Sequence, residues 1–145
     1  MSEEQTKLEE KSLLEKGLEL YEQKAPYEDI IPFFEQAALE HPRDSSAYTC
    51  LAWLYLLKDE KEDRQKGLHF AQQATKMDRR NAQAQANLVL AMLMSGRTGI
   101  RKEVEKIYQR CASPEDLKEI QDNLKEALQR KDDFAEAQKL LSWLE

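Results

Sequence analysis

Turn-forming residues are scarce in this chain, which has only 4 glycines and 4 prolines among 145 residues. That is about half of their usual share in globular proteins. Collagen, low-complexity chains and most multi-stranded β folds contain far more of them, so these classes are excluded. The length suits a single domain. A content of 34% charged and 41% hydrophobic residues suits exposed helices around a modest core.

Membrane-spanning and targeting segments are also missing from the sequence. It contains no run of about 18 consecutive apolar residues, so we expect no transmembrane helix and no membrane insertion. The first residues, MSEEQ, are acidic and no apolar region follows them, which does not resemble a secretory signal. We therefore expect a cytoplasmic protein.

Residues for metal, cofactor or catalytic chemistry are few. Cys50 and Cys111 are expected to be reduced, and together with His41 and His69 they show no metal-ligand spacing. Cys50 has no evident base for a nucleophile, and the chain lacks a P-loop and a GxGxxG motif. We expect no metal, no cofactor and no enzymatic activity. The net charge of -6 also argues against nucleic acid as a partner.

Helical periodicity runs along almost the whole chain, beginning near Leu8, and predicts eight helices and no strand. The segment Ala82–Met94 is apolar on nearly all sides, so we expect several neighbours to cover it. Either Asp132 or Asp133 is predicted to cap the last helix. The breaks between helices are predicted at Ala25–Pro26, His41–Pro42, 58–66, 78–81, 95–99, Ser113–Pro114 and 132–133.

An internal repeat is the strongest pattern in the sequence. The basic spacing of the repeat is 34 residues. Ala37 recurs 37 residues later as Ala74, and an insertion of three residues in the charged segment 58–66 accounts for the longer spacing. Residues Leu14, Gly17, Leu20 and Tyr21 are followed 34 residues later by Tyr48, Leu51, Leu54 and Tyr55, and after another 37 residues by Gln85, Leu88, Ala91 and Met92.

These residues resemble the tetratricopeptide repeat family, whose unit is a pair of helices of about 34 residues. The first repeat matches the family through Leu14, Leu18, Tyr21, Tyr27, Phe34, Ala37 and Pro42. The second matches through Tyr48, Leu51, Ala52, Tyr55, Gly67, Ala71 and Ala74. The third keeps Leu88 and Met92, but Tyr108 falls where the family has a small residue.

The resemblance implies an all-α fold, a right-handed α-solenoid of helix hairpins in one domain over residues 1–145. It places three repeats at about 11–44, 45–81 and 82–113, and leaves 114–145 as C-terminal capping helices. In this family the first helix of each pair lines a concave groove. The groove residues predicted on this basis are Glu15, Lys16, Glu19, Thr49, Cys50, Trp53, Leu56, Asn87, Leu90 and Leu93.

Trp53 is the expected anchor for a partner, since Tyr48 and Tyr55 already serve packing. Two alternatives remain open: the C-terminal helices fold back into the groove, or the groove is a self-association surface. The carboxylate clamp known in the family needs several basic residues. The corresponding positions here are Ser12, Lys16, Cys50, Gln83 and Asn87, of which only Lys16 is basic.

An acidic C-terminal tail is therefore an unsuitable ligand, and an apolar or basic amphipathic segment fits better. We expect a non-enzymatic adaptor or assembly factor, a scaffold for binding another protein. The alternatives are a dedicated chaperone that shields an amphipathic client segment and a structural homo-oligomer.

Overall fold

The computed structural model of the chain describes residues 12–145, so Leu8 and Lys11, both included in the predicted elements, lie outside the described residues. Eight helices and no strand occur in this range, which confirms the predicted all-α fold there. No helix among these residues combines the length and apolar character needed to cross a bilayer. The helices are α1 (Leu13–Glu22), α2 (Tyr27–Glu40), α3 (Ser45–Lys58), α4 (Asp63–Met77), α5 (Ala82–Met94), α6 (Ile100–Arg110), α7 (Pro114–Arg130) and α8 (Ala135–Leu144).

Short polar side chains begin several of these helices. Ser12, Asp44 and Asn81 each accept a hydrogen bond from a backbone N–H two or three residues further on, at 2.9 to 3.1 Å. Pro114 is the first residue of α7. A backbone N–H at that position has no intrahelical acceptor, so the N–H that proline lacks is not needed there. Local sequence therefore accounts for where α1, α3, α5 and α7 begin.

The start of α8 differs from its prediction. Neither Asp132 nor Asp133 caps it: Phe134 precedes the first helical residue, and Asp133 adopts a left-handed conformation with φ 54°. Phe134 is only 2% exposed. Burying this ring in the core therefore shifts the helix start by one or two residues.

Consecutive helices pack against each other from α1 to α6, a pattern compatible with a helical repeat. The pattern changes afterwards, since α6 and α7 barely contact each other while α7 packs on α8. Helix α5 lies at the centre and contacts α3, α4, α6, α7 and α8. The prediction that several neighbours cover α5 is thus confirmed.

Two apolar clusters form the core. The smaller one joins α2 to α3 through side chains such as Phe34 and Leu51, each 1% exposed. The larger one surrounds α5 and includes apolar residues from α3, α4, α6, α7 and α8. The C-terminal hairpin therefore shares its core with the middle of the chain.

Gly17 and Gly67 permit two close helix contacts. A Cβ atom at Gly17 would lie 2.7 Å from the ring of Phe34, and one at Gly67 would lie 2.6 Å from a methyl group of Leu56. Both distances are far shorter than an ordinary van der Waals contact. The glycines therefore let α1 approach α2, and α4 approach α3.

Candidate functional site

A cleft of about 360 Å³ lies where α1, α3, α5 and α7 meet. The first three are the leading helices of the three predicted hairpins, so the cleft is on the side predicted to be hollow. Most of its exposed lining surface is apolar. The lining residues are Leu18, Tyr21, Glu22, Phe34, Thr49, Cys50, Trp53, Leu54, Gln83, Asn87, Glu119, Asn123 and Glu126.

Helix α7 forms the wall of the cleft that is not part of a predicted hairpin. Asn123 Nδ2 donates to Gln83 Oε1 on α5 at 2.9 Å. At the end of α7, Arg130 Nη2 donates to the carbonyl oxygen of Tyr21 on α1 at 2.8 Å. Helix α7 thus runs from α5 to the carboxyl end of α1, covers part of the side predicted to be hollow and leaves the cleft open beside it.

Arg130 attaches the end of α7 to α1 by two contacts with Tyr21, and a third contact pairs it with Glu126 on α7 itself; we call the three together the Arg130 anchor. Besides its bond to the Tyr21 carbonyl, its guanidinium lies 3.8 Å from the centre of the Tyr21 ring, and its Nε donates to Glu126 Oε1 at 2.6 Å. The Tyr21 hydroxyl accepts a hydrogen bond from Trp53 Nε1 at 2.9 Å. Burial raises the pKa of Tyr21 well above its ordinary value, so the hydroxyl is neutral. These contacts connect α7, α1 and α3.

Hydrogen bonds between polar side chains align α3 with α5. Asn81 Nδ2 donates to Ser45 Oγ at 3.1 Å and to Thr49 Oγ1 at 2.9 Å. Asn87 Nδ2 donates to the Thr49 carbonyl at 3.1 Å, and Gln83 Nε2 donates to Asn87 Oδ1 at 2.9 Å. Asn87 is completely buried, so losing these partners would leave a polar group unsatisfied. Thr49 and Asn87 therefore hold the wall of the cleft together.

Asp59, in the turn between α3 and α4, forms ion pairs with Arg64 and Lys131. Arg64 donates to its carboxylate through Nε at 2.6 Å and Nη2 at 3.1 Å, and Lys131 Nζ lies 3.3 Å from it. Arg64 Nη1 also donates to the carbonyl oxygen of Met94 at 2.6 Å. Partial burial acts to raise the pKa of Asp59, but hydrogen bonds from Arg64 and Lys131 outweigh it and hold the pKa below its ordinary value. The turn between α7 and α8 is thereby tied to α3.

Replacing Asp59 with asparagine is expected to lower the free energy of unfolding at neutral pH by roughly 1 kcal/mol. Because the folded-state pKa of Asp59 is lowered, its contribution is present above the unfolded pKa and is lost as pH falls through the folded pKa. The difference between D59N and the wild type should therefore disappear in acid. Asparagine tolerates the left-handed conformation of this residue, φ 47°, so the turn is kept.

Urea unfolding of both proteins at neutral pH and through the acid range measures this difference. D132N, a change at an exposed carboxylate in the turn before α8, is the control and should follow the wild type. Equal free energies of unfolding for D59N and the wild type at every pH would show that the Asp59 contacts contribute nothing to stability.

Four of the ten residues predicted for the groove line the cleft: Thr49, Cys50, Trp53 and Asn87. Glu15, Lys16 and Glu19 do lie on α1, as predicted. They are not among the residues that line the cleft.

The three predicted leucines are placed in or against the core rather than in the cleft. Leu56 is completely buried and contacts the backbone at Gly67, while Leu90 is 1% exposed. Leu93 is partly buried against the larger apolar cluster. The predicted groove face was too wide because α4 approaches α3 closely at Gly67 and α5 is covered on nearly all sides.

The sequence reasoning missed two sets of cleft residues. Leu18 and Tyr21 were matched to the family repeat and not predicted for the groove, yet both line the cleft. On α7, Glu119, Asn123 and Glu126 face it, and Arg130 continues the same helix face. Their spacing of three and four residues was a detectable signal, but a polar stripe of this kind is also typical of a helix face exposed to water.

The described residues that line the cleft include no evident catalytic group. Burial, with a smaller contribution from Asp44, raises the pKa of the Cys50 thiol to about 12, so it is protonated at neutral pH. His41 and His69 are exposed and lie outside the cleft.

Among residues 12–145, no group of three or more His, Cys, Asp or Glu side chains is placed to hold a metal ion. Comparison of the sequence with protein-family models gives no match, and no curated protein matches it either. The functional interpretation therefore depends on the geometry of the cleft and on the repeat pattern.

Proposed function

We propose that the chain is a non-catalytic protein-interaction module that binds a segment of another protein in the cleft. The observation that carries the proposal is an apolar cleft lined by Leu18, which is 42% exposed, and by Trp53, which is half-buried against the larger apolar cluster. Tryptophan is one of the residue types enriched at the energetic centre of protein interfaces. Trp53 is held in place by its bond to Tyr21, so little rotamer entropy is lost on binding.

The proposal includes a tetratricopeptide-type architecture for α1–α6, three stacked hairpins of a right-handed solenoid. The repeat spacing in the sequence and the packing of consecutive helices support it. In this view α7 and α8 are the cap that ends the stack. Repeat proteins need such a terminal unit because the last repeat would otherwise expose an apolar face.

Photo-cross-linking tests the proposed function directly. The chain would carry p-benzoylphenylalanine in place of Leu18, at the cleft, or in place of Leu39, which is 75% exposed and outside the cleft. After irradiation in a lysate of the source organism, we expect a discrete cross-linked partner from position 18 and not from position 39. Identical products from both positions would contradict the proposal. A product containing two copies of the chain would instead support a homo-oligomer.

A further inference from the structure

Among the described residues that line the cleft, the charged ones are all acidic, namely Glu22, Glu119 and Glu126, and none is a lysine, arginine or histidine. Glu126 forms an ion pair with Arg130. Glu22 and Glu119 are exposed, and no ion pair found within residues 12–145 includes either of them. The cleft therefore presents, beside an apolar surface, two carboxylates that form no ion pair with another described residue.

The apolar part of the cleft lies beside these carboxylates. Leu18 and Glu22 are one helical turn apart on α1, and Trp53 and Cys50 follow on α3. The Cys50 thiol is uncharged at neutral pH, since its pKa is about 12. A partner that fits this surface combines an apolar side chain with a positive charge.

The chain itself shows how a guanidinium is accommodated next to the cleft. Arg130 stacks on the Tyr21 ring at 3.8 Å and donates to the Glu126 carboxylate at 2.6 Å, with its side chain only 11% exposed. An aromatic ring beside a carboxylate favours arginine over lysine, because the planar guanidinium stacks and bonds at the same time. The cleft lining includes groups of the same two kinds, the indole of Trp53 and the carboxylates of Glu22 and Glu119.

We infer that the cleft recognises a segment that places an arginine side chain next to an apolar side chain, with the arginine paired to Glu22 and Glu119. This inference rests on the proposed function and specifies the chemistry of its partner. The volume of about 360 Å³ holds a few side chains. An α-helix with its side chains is about 10–12 Å across. The partner therefore inserts side chains from its surface or from a short extended segment.

Matched peptides test this inference. The probes are two short synthetic peptides with a Leu-Arg pair between glycine and serine residues, identical except that one carries citrulline, the uncharged isostere, in place of arginine. Binding is followed by titrating each into the ¹⁵N-labelled full-length protein and observing the indole N–H signal of Trp53. We expect the citrulline peptide to bind about tenfold more weakly, the effect of losing one charge-assisted contact.

Two double variants with equal net charge assign the effect to the cleft. E22Q/E119Q should abolish the preference for arginine. E28Q/E105Q, which changes two exposed carboxylates outside the cleft, should retain it. Both variants replace exposed side chains, so we expect both to fold normally. Unchanged dispersion of their NMR spectra is the check.

The outcomes separate this inference from the proposed function. Equal binding of the two peptides at Trp53, or an unchanged preference in E22Q/E119Q, overturns the arginine assignment and leaves the cleft as a binding site. Failure of both peptides to shift the Trp53 signal also overturns it. If neither peptide shifts the Trp53 signal, a specific cross-link from position 18 would still support the proposed function. Absence of that cross-link as well would contradict both the arginine assignment and the proposed function.

Discussion

Deleting residues 113–145 is expected to abolish the cooperative unfolding transition of the chain. The deleted helices α7 and α8 pack directly on α5, so their removal exposes the centre of the larger core cluster. Each large apolar side chain contributes about 1.5–3 kcal/mol when fully buried. The total stability of a domain is only about 5–15 kcal/mol. The large buried side chains lost from the core are Ile120, Leu124, Phe134, Leu140, Leu141 and Leu144.

Circular dichroism during urea or thermal unfolding measures this effect. The deletion variant should show reduced helicity and a broad, non-cooperative transition, together with increased binding of a dye for exposed apolar surface. Deleting only the exposed Glu145 is the control and should leave the transition unchanged. A sharp transition near the wild-type midpoint would show that the first six helices fold independently of α7 and α8.

Replacing Phe34 with alanine is expected to destabilise the fold by about 3–5 kcal/mol, the usual cost of removing a buried phenylalanine ring. Phe34 is 1% exposed, and its ring packs on the backbone of α1 at Gly17. The change therefore leaves a cavity between α1 and α2 that a rigid helix pair fills only partly.

The matched control for F34A is L39A on the same helix, because Leu39 is 75% exposed. The control should change the free energy of unfolding by no more than about 0.5 kcal/mol. Urea unfolding of both variants gives the comparison. Equal, small effects for F34A and L39A would contradict the packing of α1 on α2.

Local patterns in the sequence predict the helices well, and the reason is physical. Proline, glycine and capping residues act on their own backbone, so the bounds of α5, predicted as Ala82–Met94, agree with the structure. The start of α8 is different because the burial of Phe134 decides it. A tertiary contact of that kind leaves no signal in the local sequence.

Periodicity predicts which helix face is apolar but not which neighbour a polar face meets. The stripe containing Asn123 and Arg130 has the sequence of a solvated surface, although its side chains bond to Gln83 and to Tyr21. Such long-range hydrogen bonds depend on how α7 is docked. The position of α7 across the hollow side therefore had to come from the structure.

Some residues of the candidate site could likewise be predicted from the sequence, and others could not. Trp53 was predicted for the groove from its residue type and its position on α3; in the structure it lines the cleft and also packs against the larger apolar cluster. Leu56 was misplaced because its surroundings depend on how closely α4 approaches at Gly67, a glycine that the sequence alone does not link to that contact. Gln85 stands at the repeat position held by Leu14 and Tyr48; it is 1% exposed and donates to Glu103 Oε2 at 2.9 Å, a bond that the repeat pattern does not predict.

The central claim is that α7 crosses the hollow side and reaches α1, leaving the cleft beside Trp53 as the accessible surface. A nuclear Overhauser spectrum of the full chain tests it through the Arg130 anchor. Cross-peaks between the side-chain protons of Arg130 and the ring protons of Tyr21, with ring-current shifts of the Arg130 methylene signals, are the predicted result. Arg130 cross-peaks confined to α7 and the turn that follows it, with no contact to Tyr21, would contradict the claim.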